Sequence, residues 1–224
     1  MPKPVERPLV IAHRGASAAA PENTIAAFEL ARTVGADWVE LDVRRTADGV
    51  LAVHHDPALP DGRAITDLAG ADLPTSVPDL AAALAACTGM GVNIEVKPHD
   101  SLELVDAVVA AIVAWGGPVL VSSFQAELVD RVRAVAASLP TGLLVYRIDD
   151  AASLVAACAA AGHDALHPWD PTVDAALVGL AHDAGLAVNV WTVDDPARLR
   201  ELAALGVDGI VTNVPDVALA TLSG

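Results

Sequence analysis

Aromatic residues make up only 3% of this 224-residue chain. Rings cannot fill its core, so Ala, Val, Leu and Ile must do so. Cysteine is almost missing: Cys87 and Cys158 stand far apart in Ala-rich stretches. No CxxC or metal-type Cys spacing exists, which excludes a thiolate zinc site and a disulfide framework. Both are expected to be small buried residues. Basic charge is scarce as well, with 13 Lys and Arg against 29 Asp and Glu and a net charge of −16. That surface repels phosphate backbones and anionic membranes, which excludes a general nucleic-acid binder. Long apolar runs are absent. The longest, near Ala107–Trp115, falls short of the roughly 18 residues that span a bilayer. The opening MPKPVERPLVIAHRG enters a strand without a signal-type apolar region. The expectation is a cytoplasmic protein with a small-molecule partner, no nucleic acid and no stable membrane insertion.

Hydrophobic residues at 54% and charged ones at 19% exclude disorder. Short β-rich runs alternate with longer Ala/Leu-rich segments of helical spacing. Strands are expected at 9–13, 38–43, 92–96, 119–123, 142–146, 165–167, 187–191 and 209–212. Helices are expected at 24–34, 80–86, 102–114, 126–137, 152–161, 173–184 and 197–204. Gly35, Gly116, Gly162, Gly185 and Gly206 stand where helices should stop. Eight such units imply an α/β fold, a TIM-type (β/α)₈ barrel, with residues 1–224 as one domain. The Ala-rich outer helix faces suit a bare surface and a packed partner equally, which leaves the oligomeric state open.

One further run, 50–54, follows the second strand too soon for a parallel crossover, so this pair must be antiparallel. With Asp48-Gly49 as a two-residue turn, Ala47 pairs with Val50 and, further down, Asp42 with His55. The expectation is a β-hairpin that extends strand two over the barrel mouth and sets His55 level with Asp42.

Residues at the C-terminal ends of barrel strands face the active mouth. His13 and Arg14 end the first strand. Glu40 and Asp42 share one face of the second strand, and Glu95 and Lys97 one face of the third, because the strand period is two. Three carboxylates thus converge, and a divalent cation would relieve their repulsion. Oxygen ligands without cysteine favour Mg²⁺, Ca²⁺ or Mn²⁺ over Zn²⁺, and Mg²⁺ is the leading candidate. The plainer alternative is pairing with Arg14, Arg44 or Lys97. His13 and His55 suit an acid/base pair. Arg14 and Lys97 suit a phosphate. His167, Phe124 and Trp191 are further candidates to touch substrate. His99, His163 and His182 are expected on the surface.

These residues carry a resemblance. His13-Arg14-Gly15, Pro21-Glu22-Asn23-Thr24, Glu40-Leu41-Asp42, Thr46-Ala47-Asp48-Gly49, His55-Asp56 and Glu95-Val96-Lys97 follow in order. Ser122-Ser123-Phe124, Val190-Trp191-Thr192-Val193 and Gly209-Ile210-Val211-Thr212-Asn213-Val214-Pro215 come later. The ordered set resembles the glycerophosphodiester phosphodiesterases over about residues 9–217. The resemblance implies a TIM-type barrel that hydrolyses glycerophosphodiesters to glycerol 3-phosphate and an alcohol with one divalent cation. By position it implies Glu40, Asp42 and Glu95 as metal ligands, His13 and His55 as the acid/base pair, and Arg14 and Lys97 on the phosphate. The segment from Asp56 to Pro78 is short beside members with a capping insertion. Asp194 and Asn213 stand where many members have Asn and Asp. A lysophospholipase D-like enzyme and a silent phosphate-binding barrel are the alternatives. A silent barrel should have lost a ligand or a histidine, and none is missing here.

Overall fold

The apolar runs form strands and the Ala-rich runs form helices, joined in alternation. The computed structural model describes residues 7–97 and 102–223, so the expectation for His99 lies outside the described residues. The parallel strands are β1 (Leu9–His13), β2 (Trp38–Arg45), β4 (Gly91–Val96), β5 (Val119–Ser123), β6 (Thr141–Val145), β7 (Ala165–Pro168), β8 (Ala187–Val190) and β9 (Gly209–Thr212). Each pairs with its neighbours, and β1 pairs with both β9 and β2, so the ring closes. This is a TIM barrel. Between β2 and β4, a short β3 (Leu51–Val53) lies outside the ring, antiparallel to β2.

Eight helices stand in the crossovers and at the end of the described chain: α1 (Ile25–Val34), α2 (Leu80–Ala86), α3 (Leu102–Trp115), α4 (Ala126–Val135), α5 (Ala151–Ala161), α6 (Ala175–Asp183), α7 (Pro196–Leu205) and α8 (Pro215–Leu222). Acidic side chains start four of them. Asp79, Asp150, Asp174 and Asp195 accept from the backbone N–H three residues on, and Thr24 does the same for α1. Part of the acidic excess is therefore structural, since these carboxylates also oppose the positive helix ends.

Four helices stop at a left-handed glycine, Gly116 after α3 and, in a recurring pattern, Gly35, Gly162 and Gly206. The last three share what comes next. Each is followed by a buried residue and then an aspartate. Asp37 accepts from Val10 N–H at 2.8 Å, Asp164 from Thr141 N–H at 2.9 Å and Asp208 from Val188 N–H at 2.7 Å. Each carboxylate thus ties the incoming strand to the first residues of the strand beside it. The buried residue between is Ala36, His163 or Val207. This corrects the surface expectation for His163. Its side chain is 2% exposed and bonds Thr141 Oγ1 at 3.0 Å, because the glycine turn drives that position inward. His182 is exposed and pairs with Asp208. Cys87 and Cys158 are buried and free.

The apolar core lies between ring and helices in two main groups, one around Phe28, Leu84, Ile94 and Leu104, the other around Leu166, Leu177, Leu199 and Ile210. Inside the ring, polar residues take part: Asn93, Ser122, His167 and Asn189 are buried. Among the described residues no helix is long and apolar enough to cross a membrane.

Candidate active site

The hairpin after β2 corrects the expected register by one residue. Val43 pairs with Val53 and Arg45 with Leu51, so Thr46 faces Val50 and the loop is Ala47-Asp48-Gly49. Three residues suffice because Gly49 takes φ 91° and Thr46 Oγ1–H bonds the Asp48 carboxylate at 2.6 Å. His54, not His55, therefore lies opposite Asp42 and donates its backbone N–H to the Asp42 carbonyl at 3.0 Å. β3 has ended by then. His55 reaches the mouth because the chain bends there, with Arg44 holding its carbonyl at 2.7 and 2.9 Å. The Arg44 guanidinium thus grips a backbone carbonyl here.

At the other edge, β1 ends at His13, paired in register with Glu40. Arg14 and Asn23 both adopt left-handed φ, 55° and 56°, which costs a residue other than glycine about 1–2 kcal/mol. Each turn aims a polar group. Arg14 donates its backbone N–H to Glu40 Oε2 at 3.0 Å, and Asn23 donates Nδ2–H to Asp42 Oδ2 at 2.7 Å. Gly15 follows at φ 84°, where a Cβ would meet the Ala27 backbone at 2.6 Å, so only glycine lets α1 pack so close.

Glu40, Asp42 and Glu95 are all buried, and each offers an oxygen within 4.8 Å of the others. The sheet explains this, since Asp42 and Glu95 are register partners on adjacent strands. Lys97 Nζ lies 2.7 Å from Asp42 Oδ1 and 2.6 Å from Glu95 Oε1, and Arg14 Nε lies 3.2 Å from Asp42 Oδ2. The pairing alternative is therefore partly realised, through Lys97 and Arg14. Two cations do not neutralise three carboxylates. Burial and the Asp42 charge push Glu95 up to about 7, and burial with the same neighbour raises Glu40 well above the usual range. Asp42 resists its burial because Lys97 and Arg14 face it, and falls to about 2. Glu40 Oε1 is buried with no hydrogen-bond partner. Such a cluster sheds charge by taking up a proton, which a divalent cation would displace. The three residues fit an oxygen-ligated divalent cation.

These groups share a cavity of about 200 Å³ at the C-terminal mouth, lined by His13, Arg14, Glu40, His55, Glu95, Lys97, Phe124, His167 and Trp191 among others. Every site residue expected from the sequence lines it except Asp42, which lies just beneath, 1% exposed. Burial lowers His13, helped by the Arg14 charge, and burial lowers His55. His13 Nδ1 lies 2.7 Å from Asn213 Oδ1, and His55 Nδ1 lies 2.8 Å from Asp56 Oδ1. His167 sits at the cavity floor rather than its rim. It is 1% exposed, accepts from Asn189 Nδ2–H at 3.0 Å, and burial pushes it down to about 4. It fits there because Gly142 on the next strand leaves room: a Cβ at that position would meet the imidazole at 2.5 Å.

Beside the cavity lie residues that sequence reasoning missed. Tyr146 stacks on Trp169 with centroids 4.4 Å apart, and Trp191 meets Phe124 edge-on at 5.4 Å. Phe124 and Trp191 line the cavity, and Tyr146 and Trp169 cluster beside Trp191. In a chain so poor in rings, their recurrence just after strand ends was a usable signal. Asn23 and Asn213 are the polar supports of Asp42 and His13; Asn23 carried no signal beyond its place in a motif, and Asn213 only its departure from the Asp of many members.

The Glycerophosphoryl diester phosphodiesterase family model matches residues 13–217. A glycerophosphodiester phosphodiesterase of Caldanaerobacter subterraneus is 31% identical over 237 residues, covering 94% of this chain and 96% of its own. The solved structure of an Oleispira antarctica phosphodiesterase, in complex with the product sn-glycerol-3-phosphate, superposes with a TM-score of 0.90 at 26% identity, over 97% of this chain and 98% of that one. A glycerophosphodiester phosphodiesterase of Agrobacterium tumefaciens superposes at 0.82 with 30% identity, over 95% and 99%.

Proposed function

The chain belongs to the glycerophosphoryl diester phosphodiesterase family of hydrolases, and from that premise we propose how its own residues carry out the reaction. The substrates are glycerophosphodiesters such as glycerophosphocholine or glycerophosphoethanolamine, cleaved to glycerol 3-phosphate and an alcohol. One observation carries this reading: three buried carboxylates, two histidines, an arginine and a lysine converge on one cavity at the barrel mouth.

Glu40, Asp42 and Glu95 would hold a divalent cation; their hard oxygen donors suit Mg²⁺, Ca²⁺ or Mn²⁺, of which Mg²⁺ is the one proposed. When bound, that ion polarises the phosphate and offsets the charge that develops on it. Arg14 and Lys97 bind the non-bridging oxygens. His13, kept neutral by burial and backed by an uncharged amide, accepts the proton of the nucleophile, which is water or the glycerol 2-hydroxyl. Burial lowers His55, and the Asp42 charge and the Asp56 carboxylate on its Nδ1 only partly oppose that shift. His55 gives the leaving alcohol its proton. His167 and the rings of Phe124 and Trp191 shape the cavity around the rest of the substrate. Residues 1–224 act as one domain in this scheme, in the cytoplasm.

The test is release of glycerol 3-phosphate from glycerophosphocholine with EDTA, then with Mg²⁺, Ca²⁺ or Mn²⁺ restored. Release is expected to vanish with EDTA and return with one cation. His13→Ala and His55→Ala are each expected to lower kcat about 10²- to 10⁴-fold with little change in KM. Unchanged turnover in both variants would overturn their roles. Preference for lysophosphatidylcholine over the soluble diester would move the substrate class to lysolipids.

A further inference from the structure

Asp194 and Asn213 do not line the cavity, yet they sit in line behind His13. They lie in adjacent loops, after β8 and after β9. Asn213 Oδ1 faces His13 Nδ1 at 2.7 Å and also accepts from the Ser17 hydroxyl at 2.9 Å. The far end of the same amide donates Nδ2–H to Asp194 Oδ2 at 2.7 Å. Asp194 Oδ1 takes the Asn213 backbone N–H at 2.8 Å and the Thr212 hydroxyl at 2.9 Å.

An amide side chain has two ends of equal shape and opposite role. A carboxylate only accepts, so Asp194 admits the nitrogen end and repels the oxygen end. The oxygen must then face His13. That oxygen also only accepts, so the proton of the neutral imidazole sits on Nδ1. The tautomer of a histidine follows from the bond its other nitrogen makes. Nε2 keeps its lone pair, and lies on the Glu40 side of the ring, 4.0 Å from Oε2.

We propose that Asp194, acting through Asn213, sets the tautomer of His13 and leaves Nε2 as the nitrogen that accepts a proton. The inference rests on the reading of His13 as the base. Asp194 is a positioning residue: without its carboxylate, the Asn213 amide is free to turn, offer Nδ2–H to Nδ1, and move the imidazole proton to Nε2. The ring would then present a donor where the reaction needs an acceptor.

The experiment reads the tautomer directly, by long-range ¹H–¹⁵N correlation of the labelled protein with Mg²⁺ present, at a pH where His13 is neutral. The wild type is expected to show the Nδ1–H form. Asp194→Ala is expected to show a mixture with the Nε2–H form, and a kcat lower by about 10- to 100-fold at little change in KM, the usual cost of losing an outer partner of a working group. Asn213→Leu removes the acceptor itself and should shift the tautomer in the same direction. The double variant Asp194→Asn/Asn213→Asp reverses the pair but keeps an acceptor on Nδ1, so it is expected to restore the Nδ1–H signature. A variant Asp194→Ala that keeps the wild-type tautomer overturns the inference, whatever its turnover. If that variant does not fold, as judged by dispersion in the same spectra, Asn213→Leu and the double variant decide by the same signature. The spectrum needs no substrate, so failure of the proposed reaction and failure of this inference are separate results.

Discussion

Asn23 shows what a single residue contributes to this site. It is 3% exposed, sits at φ 56°, donates to the Asp42 carboxylate and accepts from the Asp42 backbone N–H. Strain and function are joined there: only the left-handed turn puts the amide against Asp42. Asn23→Ala is expected to destabilise by about 2 kcal/mol, from the lost bonds to a charged acceptor, since both side chains carry the strain of the left-handed turn. Asn23→Gly loses the same bonds without the strain, so it should cost about 1 kcal/mol less. Urea midpoints of the two variants check this, and equal values would remove strain from the account. Most of the residues that line the cavity were legible in the sequence. A carboxylate at every second position of a strand, beside a second strand with the same pattern, leaves few arrangements. His55 was placed at the mouth through a pairing that the structure does not make. It arrives there because Arg44 holds its carbonyl beyond the end of β3.

At the scale of elements, the aspartates before β2, β7 and β9 form a repeated device. Each follows a left-handed glycine and a buried residue, and each ties the adjacent strand's first N–H groups. The glycines were read from the sequence as helix stops, while the aspartates two residues later were not read at all. Their partners lie on the neighbouring strand, roughly 20 to 30 residues away along the chain, and no local pattern reveals that. Asp164→Ala should leave the Thr141 N–H without an acceptor and lower stability by about 1 kcal/mol, with the cavity unchanged. Urea unfolding and turnover measured on one sample check both halves. A loss of turnover larger than the loss of stability would show that this face reaches the mouth. The hairpin error also belongs to this scale. Asp48-Gly49 reads as a two-residue turn, but the Thr46 hydroxyl closes a three-residue one and slips the ladder by one.

For the whole molecule, the ring interior couples fold to pH. His167 is buried in the barrel and its folded pKa is about 4, against 6.5 when exposed. Between those values the unfolded chain binds the proton and the folded chain does not. Stability from this group is thus complete above pH 6.5 and is lost as pH falls toward 4. The gap is worth about 3 kcal/mol. His167→Gln should lose correspondingly less stability than the wild type over that window, read from unfolding midpoints at a series of pH values. Equal slopes for both proteins would show that the imidazole has another source of protonation free energy. Closure of the ring makes this burial possible, since His167 fills the space beside Gly142 from the strand next to it.

The sequence alone determined the alternation of strands and helices, the closed barrel, and the residues at its mouth. Period and order are local properties, and eight repeats of them admit one compact solution. The tertiary structure decided what depends on contacts between distant segments. It set the register of the hairpin, the burial of His163, the placing of His167 at the floor, and the aromatic cluster at the mouth. It also decided which partner each charged group meets. Three carboxylates in one strand pattern predict repulsion, but only packing puts Lys97 between two of them and leaves Glu40 with an orphaned oxygen. Hydrogen bonds and ion pairs act within a few ångströms of space, and nearness in space is settled by the fold rather than by nearness along the chain.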